Sequence, residues 1–306
     1  MPELPEVTVI VNQLDKKLKG LVLASIEYDW PKKFDWGDFS QKDLKRAKVT
    51  GVERRGKVVV INLLNAKRLT TKAKKSVSPS ASSVKLSILI HLKLTGQLIY
   101  QDAKTRIAGG HPIPPLNLPV PNKTTRVIFT FTNKGRLYFN DMRKFGWVKI
   151  VESQESKVKE AIGMELGPDA LEVKYEDFCD RLKKKPNAKI KKLLMDQTFV
   201  SGIGNIYSDE ALWRAKIHPA RSVASLADAE IKALYGGIRE SLELAIEKGG
   251  SSASAFVDSR GEKGLYLSYA RAYHMTGRPC ARCKTPIVRK KMDSRSAHFC
   301  PSCQKL

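Results

Sequence analysis

The chain opens with apolar residues at helical spacing. They recur every three or four positions, which predicts an amphipathic helix that ends at Gly20. The apolar face of this helix consists of Val7, Ile10, Val11, Leu14 and Leu18.

Short runs rich in β-branched and aromatic residues follow. The predicted strands are 21–28, 58–64, 86–92, 126–131, 136–139 and 146–151. Asn133-Lys134-Gly135 predicts a hairpin, because glycine tolerates the positive φ that tight turns require. Many short strands without helices between them predict a sandwich or a barrel.

After residue 151 the pattern changes to helices. The predicted helices are 175–185, 189–199, 205–215 and 226–248, and the last one ends at Gly249-Gly250. Segments 67–83, 108–121 and 251–264 are polar or proline-rich and predict surface loops. We therefore expect an α+β multidomain protein with an N-terminal β-sandwich and flanking helix (1–151), a helical domain (152–265) and a cysteine-rich C-terminal segment (266–306).

The net charge of the chain indicates which class of binding partner to expect. The 306 residues include 55 Lys and Arg against 31 Asp and Glu, a formal net charge of +24. This excess favours polyanions, although a solubility charge, an acidic partner or a lipid surface is also compatible. No apolar run approaches the roughly 20 residues that span a membrane, and the N-terminus does not read as a signal peptide.

Four of the five cysteines lie in the last 27 residues, as two CxxC pairs separated by sixteen residues. Two such pairs on a β-hairpin can bind zinc tetrahedrally, and with four protein ligands the ion would be structural. Disulfides or redox-active pairs are the alternatives, but the crowding of the cysteines favours a reducing, cytoplasmic setting. The expected ligands of one Zn²⁺ are Cys280, Cys283, Cys300 and Cys303.

The N-terminus offers a candidate nucleophile. We expect removal of Met1, which would leave Pro2 with a free secondary amine. An α-amino group titrates at about pH 8, so a usable fraction is unprotonated at neutral pH. Glu3 and Glu6 supply carboxylates beside it, but an ordinary exposed chain end is compatible with the same residues.

Several segments together resemble the formamidopyrimidine-DNA glycosylase family, also called the endonuclease VIII-like superfamily. The opening MPELPEV is followed by RRGK at 54–57, HLKLTG at 91–96, which is similar to HLxMxG, and DMRKFG at 141–146, which is similar to DxRRFG. LGP at 166–168, MDQ with VSGIGNIY at 195–207, and GRPC at 277–280 complete the series in order. The resemblance implies a β-sandwich, a helix–two-turn–helix domain and a β-hairpin zinc finger.

The resemblance also implies a bifunctional DNA glycosylase and lyase of base-excision repair that acts on flipped-out oxidised bases. Pro2 would form the Schiff base, Glu3 would act as general acid, Glu6 would orient the amine and shuttle protons, and Lys57 would hold a phosphate and assist proton transfer. Arg143 and Phe145 would enter the space left by the base, with Leu94 filling the stack. The other expected DNA contacts are Lys144, Lys191, Gly204, Asn205 and Arg295.

The sequence departs from the family at several positions. Leu94 stands in place of Met and Lys144 in place of Arg, residues 123–126 lack a usual histidine, and Ala297 stands where Thr is common. Leu4 after Pro2-Glu3 favours oxidised purines (8-oxoguanine and formamidopyrimidines) over the alternative, oxidised pyrimidines. A non-catalytic damaged-DNA-binding protein and a zinc-ribbon RNA-binding protein are further alternatives.

His91, His218, His274 and His298 show no mutual ligand spacing, and we expect them to be structural or surface residues. The expected partner is double-stranded DNA with oxidised bases or abasic sites. The expected protein is a cytoplasmic, bacterial-type, nucleoid-associated monomer.

Overall fold

The computed structural model describes residues 1–67, 83–110, 118–163, 165–251, 264–292 and 295–306. Contacts divide the chain into two units: the first contains Met1–Pro2 and Glu6–Glu165, and the second contains Glu3–Pro5, Leu166–Ala253 and Gly264–Leu306. The expected loops at 67–83, 108–121 and 251–264 lie largely outside the described residues.

The first unit is built mainly of β-strands. Its helices are α1 (Leu4–Leu18, of which all but the first two residues belong to this unit), α2 (Gln41–Leu44) and α3 (Glu155–Ile162). Its strands are β1 (Leu23–Tyr28), β2 (Phe34–Asp35), β3 (Lys48–Arg55), β4 (Val58–Lys67), β5 (Ser83–His91), β6 (Gly96–Gln101), β7 (Arg106–Gly110), β8 (Thr125–Phe131), β9 (Arg136–Asp141) and β10 (Trp147–Glu152).

These strands form two five-stranded sheets. One sheet has the order β1-β8-β9-β6-β7 and the other has the order β2-β10-β5-β4-β3. Apolar side chains from both sheets share one core with the inner face of α1, so the predicted β-sandwich with a flanking helix is confirmed. α1 is also fixed by a polar contact, because Asp15 accepts a hydrogen bond from the Val52 amide at 2.7 Å.

Several elements of the sandwich differ from the predicted pattern. The sequence gives no clear signal for β3, because Gly51 interrupts the alternation at a point where the register with β4 also shifts. β6 is buried over most of its length, so its apolar run lacks the alternation of a half-exposed strand. β7 occupies the start of the segment that was expected to be a loop.

The second unit begins with helices. They are α4 (Tyr175–Lys183), α5 (Ile190–Leu194), α6 (Asn205–Arg214), α7 (Asp228–Glu247) and α8 (Tyr266–Tyr269). They enclose a core that confirms the helical domain, and Leu4 from the start of α1 is part of that core. α5 ends earlier than predicted because the Asp196 carboxylate accepts the amide and hydroxyl of Thr198 and closes a turn.

The chain ends in an antiparallel ribbon of β11 (Val288–Met292) and β12 (Arg295–Phe299). Trp213 of α6 packs with Cys280, Ile287 and Cys300 of this segment. The predicted C-terminal β-hairpin is therefore confirmed, and its small core includes a helical residue. No helix in the described residues is long and apolar enough to cross a membrane.

Candidate active site and zinc centre

Glu3 lies at the N-terminus of α6. Its carboxylate accepts hydrogen bonds from the amides of Ile206 at 3.0 Å and Tyr207 at 3.4 Å, and only 4% of the residue is exposed. The first amides of a helix have no partner within the helix and carry partial positive charge, so they stabilise a carboxylate placed there. The helix start therefore holds the candidate acid in one orientation.

Two glycines make room for the N-terminal segment. A Cβ on Gly204 would collide with the Glu3 carboxylate, and a Cβ on Gly202 would lie 2.8 Å from the Leu4 Cβ. Gly202 also has φ of +104°, which disfavours any other residue, and its carbonyl accepts the Leu4 amide at 3.0 Å. The absence of a side chain at Gly204 is explained by the space that the Glu3 carboxylate occupies. The expected DNA-binding role of Gly204 stays a prediction.

Pro2 and Glu6 belong to the first unit and are both buried. Lys57, which is 6% exposed, lies in the two-residue turn between β3 and β4 after Gly56. Arg54 fixes this turn to α1, because its Nε donates to the Thr8 hydroxyl at 2.8 Å and its Nη1 donates to the Gly56 carbonyl at 3.3 Å. The turn with Lys57 is thus attached to the helix that carries Glu6.

His91 has a more specific environment than the sequence indicates. Its Nδ1 accepts the Lys93 amide at 3.0 Å, so the proton of the neutral ring is on Nε2. Burial, together with the charges of Lys93 and Lys57, lowers the pKa of His91 to about 3. The His91 side chain is therefore a neutral N–H donor near the charges of Lys93 and Lys57. The sequence does not show this environment, because Lys57 is distant in the chain and close only in the fold.

The loop between β9 and β10 presents apolar side chains to solvent. Phe145 is 47% exposed and Met142 is 52% exposed, and the Arg143 guanidinium lies 4.8 Å from the Phe145 ring centroid. Asp141 holds this loop, because it accepts the Gly146 amide at 2.7 Å and the Thr95 hydroxyl. Exposed hydrophobic side chains on an anchored loop indicate an interaction site.

The turn that carries Leu94 is joined to the same loop. The Arg143 amide donates to the Thr95 hydroxyl at 3.1 Å, and Leu94 itself is half-buried. The structure therefore places Leu94, Arg143 and Phe145 on two connected loops of the first unit. Met142 is a further exposed residue of this loop that the sequence analysis did not identify. An apolar residue among the polar residues of this loop is the sequence feature that could have indicated it.

Lys191 is buried, with 3% exposure, and its ammonium has two close partners inside the second unit. Nζ lies 2.6 Å from Asp209 Oδ1 and donates to the Ser296 carbonyl at 2.7 Å. Burial lowers the pKa of Lys191, whereas the charge of Asp209 opposes that shift. These contacts do not favour the direct phosphate contact predicted for Lys191, because its charge already links α5, α6 and β12.

Two neighbouring carboxylates of α6 hold the C-terminal ribbon and the segment that leads into it. Asp209 accepts the amide of His298 at 3.0 Å and lies 3.0 Å from its Nδ1. Glu210 accepts the amides of Arg271, Ala272 and Tyr273, and its burial raises its pKa. In the sequence, Asp209 and Glu210 are an ordinary acidic pair in a predicted helix, so their contacts with the C-terminal segment could not be predicted.

The other two expected DNA contacts of the second unit lie at element ends. Arg295 is exposed at the start of β12. Asn205 begins α6, and its buried Oδ1 has no hydrogen-bond partner in the described residues. Both side chains therefore keep polar atoms that the described structure does not use.

Four thiols converge in the C-terminal segment. The Sγ atoms of Cys280, Cys283, Cys300 and Cys303 all lie within 4.8 Å of one another. Tetrahedral zinc with Zn–S bonds of about 2.3 Å needs sulfur atoms separated by about 3.8 Å, so this donor set fits the ion. The Sγ of Cys283 lies 3.4 Å from that of Cys300 and 3.3 Å from that of Cys303, well beyond the roughly 2.05 Å of a disulfide. The four cysteines therefore form one structural zinc site.

We expect Cys300→Ser to lose the zinc and disorder the ribbon, because the small core of this segment includes the metal ligands Cys280, Cys300 and Cys303. Metal analysis should find one zinc per wild-type chain and none in the variant, and Trp213 fluorescence should shift to longer wavelength. Cys179→Ser, which changes a cysteine outside the cluster, is the control and should keep the zinc. A metal-free protein with native Trp213 emission would contradict this role.

We expect Lys191→Met to lower the free energy of unfolding by about 3–5 kcal/mol, because it leaves the Asp209 charge buried without its partner. Urea unfolding followed by circular dichroism measures the change. Lys192→Met, at an exposed neighbouring position, should change stability by less than about 0.5 kcal/mol. Equal stabilities of the two variants would show that Lys191 does not support the fold.

Comparison with known domains covers most of the chain. Residues 1–148 match the formamidopyrimidine-DNA glycosylase N-terminal domain, and residues 166–257 match the formamidopyrimidine-DNA glycosylase H2TH domain. Residues 277–306 match a zinc finger found in FPG and IleRS. The three matches follow the order of the sandwich, the helices and the cysteine ribbon.

Full-length relatives agree with these domain matches. The chain is 36% identical over 309 residues to a formamidopyrimidine-DNA glycosylase of Pelotomaculum thermopropionicum, with 100% of both chains covered. It is 35% identical over 311 residues to that of Enterococcus faecalis, with 100% of this chain and 98% of the relative covered.

A crystal structure of Lactococcus lactis Fpg (MutM) with N7-benzyl-Fapy-dG containing DNA superimposes with a TM-score of 0.79, 29% identity and 100% coverage of both chains. Another structure, MutM with carbocyclic 8-oxo-G containing DNA, gives the same TM-score of 0.79. The chain therefore belongs to the formamidopyrimidine-DNA glycosylase family.

Proposed function

We propose that the protein is a base-excision repair enzyme that removes oxidised purines from double-stranded DNA and then cleaves the strand. The observation that carries this proposal is the placement of Glu3 on the amides of Ile206 and Tyr207, directly after Pro2 in the chain. Once Met1 is removed, this buried carboxylate follows a chain-terminal amine directly in the chain, which pairs a general acid/base with a nucleophile. The solved relatives with Fapy-dG and 8-oxo-G DNA support the choice of purines over pyrimidines.

The proposed reaction starts at the amine of Pro2, freed by removal of Met1. Glu3 takes the amine proton, and the nitrogen forms a bond to C1′ of the flipped-out nucleotide while the base leaves with the electron pair of the glycosidic bond. Glu3 then returns a proton to the sugar ring oxygen as the ring opens. The product is an iminium ion between Pro2 and C1′.

Strand cleavage follows from the acidity of that iminium ion. Loss of a proton from C2′ expels the 3′ phosphate in a β-elimination, and a second, δ-elimination expels the 5′ phosphate. Glu6 orients the amine and carries protons in these steps, and Lys57 binds a phosphate and assists proton transfer. The neutral Nε2–H of His91, near Lys57, suits the same phosphate.

The remaining predicted residues have supporting roles in this proposal. Arg143 and Phe145 occupy the vacated stack together with Leu94, while Lys144, Asn205 and Arg295 bind the backbone. The zinc ion stabilises the ribbon that carries Arg295, and takes no part in the chemistry.

We also propose that three segments divide these tasks: 1–151 carries the nucleophile, 152–265 carries the helix–two-turn–helix elements, and 266–306 forms the zinc finger. A bacterial-type enzyme of this family acts where the chromosome lies, so we assign it to the cytoplasm and nucleoid.

We predict that borohydride added during turnover of an 8-oxoguanine duplex traps a covalent adduct on Pro2, which peptide mapping locates.

Glu3→Gln should slow base excision about 100- to 10,000-fold, because the amide cannot exchange the proton. Its affinity for a duplex with an abasic-site analogue should remain close to that of the wild type. Glu27→Gln, at an exposed strand position, is the control. An adduct on Lys57 would refute the assignment of Pro2, and faster excision of oxidised pyrimidines would refute the substrate class.

We predict different salt behaviour for Arg295→Ala and Arg143→Ala. Arg295→Ala should make the log–log salt slope of duplex binding shallower by about one unit and weaken damaged and undamaged duplexes alike. Arg143→Ala should weaken damaged DNA selectively, because an empty stack raises the cost of base flipping. Fluorescence anisotropy of both duplexes at several salt concentrations separates the two effects. If Arg143→Ala weakened both duplexes equally, Arg143 would be a backbone contact only.

A further inference from the structure

The C-terminal end of α6 lies against the zinc ligands, within the second unit. Trp213, the residue before the last one of α6, is 7% exposed and packs with Cys280 and Cys300, which are both fully buried. The metal-binding segment therefore shares its core with an aromatic side chain that is distant in the sequence.

The indole of Trp213 has a sulfur atom as its acceptor. Its Nε1–H is buried and has no nitrogen or oxygen acceptor in the described residues, and its hydrogen-bond contact is with the Cys280 side chain. Burial raises the pKa of Cys280, but hydrogen bonds to its sulfur from two backbone amides and from the indole lower it overall. Because cysteine binds zinc as the thiolate, these donors stabilise the form that the metal requires.

Arg282, which lies between Cys280 and Cys283 in the chain, reaches the same helix end. Its Nη2 donates to the Trp213 carbonyl at 2.6 Å, and its Nη1 donates to the Arg214 carbonyl at 3.3 Å. Its Cζ lies 3.9 Å from the centroid of the Trp213 ring. Because the last carbonyls of a helix carry partial negative charge, a cation that binds them is stabilising, and its stacking on the ring fixes both side chains.

Arg282 also contacts a zinc ligand. Its Nε–H is buried and finds no nitrogen or oxygen acceptor in the part of the chain that the structure describes. Burial and the Cys283 thiol raise the pKa of Cys303, whereas a hydrogen bond from the Arg282 side chain opposes that rise. The guanidinium thus binds two helix carbonyls and one cysteine sulfur.

The charge of the metal site explains why such donors are needed. Zinc neutralises half of the charge of four thiolates, so the donor set of four cysteines retains an excess of negative charge when it binds the ion. Excess charge among buried atoms is costly unless donors or a counter-charge compensate it. Arg282 provides that charge in contact with the ligands, whereas Lys284 and Lys290 are exposed.

We propose that Trp213 and Arg282 are positioning residues of the zinc site, which donate hydrogen bonds to the thiolates of Cys280 and Cys303 and thereby retain the metal. This inference rests on the zinc site and is independent of the proposed repair reaction. It makes zinc retention depend on the C-terminal end of α6, the helix whose first amides hold Glu3.

Trp213→Phe tests the indole donor, because phenylalanine keeps an aromatic ring for Arg282 but has no N–H. Competition between the full-length protein and a chromophoric chelator measures the zinc affinity, which should fall about 10- to 100-fold. Trp36→Phe changes a tryptophan that packs with Tyr28 and Phe34, and as the control it should keep the wild-type affinity. A folded Trp213→Phe with wild-type zinc affinity would overturn the role of the indole.

Replacement of zinc by Co²⁺ gives a readout that packing alone does not change. A hydrogen bond to a thiolate lowers the energy of the sulfur lone pairs, which moves the sulfur-to-cobalt charge-transfer band to shorter wavelength. The band of Trp213→Phe should therefore lie at longer wavelength than that of the wild type. An unshifted band together with weaker zinc binding would show that Trp213 acts by packing, and would refute the hydrogen bond.

Arg282→Gln and Arg278→Gln each remove one positive charge near Cys280, but Arg278 is exposed. Arg282→Gln should weaken zinc binding about tenfold or more, whereas Arg278→Gln should change it by less than about twofold. Circular dichroism and thermal unfolding with saturating zinc establish that each variant is folded. Equal effects of the two variants would mean that net charge, and not the contact, retains the metal. A loss of duplex affinity with unchanged zinc affinity would make Arg282 a DNA contact and refute its proposed role.

Discussion

The contact between the Glu3 carboxylate and the first amides of α6 is the constraint on which the candidate site depends. It orients a buried acid directly after Pro2, and it requires glycine at positions 202 and 204. The same helix then uses Asp209 and Glu210 to hold the segments that lead into and form the zinc ribbon. One helix therefore fixes the acid at its start and the metal-binding ribbon along its length.

Burying these acids has an energetic cost that their partners offset. Asp209 has Lys191 and His298, and Glu210 has three consecutive amides. Such arrangements stabilise the fold only while every partner is present, because a lone buried charge is strongly destabilising. The helix, the lysine and the ribbon are thus energetically interdependent within the second unit.

Much of the fold could be predicted from local pattern. The apolar stripe of α1, the strands with clear apolar runs and the two CxxC pairs all correspond to elements of the structure. β3 was missed because Gly51 interrupts the alternation where the register with β4 shifts. β6 was missed because burial of both faces removes the period-two signal. α5 was too long in the prediction because the side chain of Asp196 competes with the helix for its backbone.

The candidate site was less accessible to such reasoning, because its contacts join residues far apart in the chain. The sequence shows Lys191 as one more lysine of a basic helix, and only the fold pairs it with Asp209. His91 likewise reads as an isolated histidine until β4 and β5 bring it near Lys57. Spacing identifies ligands that act as local pairs, such as the cysteines, but not partners that depend on tertiary packing.

The closeness of Gly204 to Glu3 has an evolutionary consequence. Any side chain at 204 would occupy the space of the carboxylate, so the residue permitted at one position depends on the residue at the other. The two sites are about two hundred residues apart in the chain, yet they must be inherited as a compatible pair. A descendant that lost the glutamate would be released from the constraint at 204, and drift at that glycine would then record the loss of the acid.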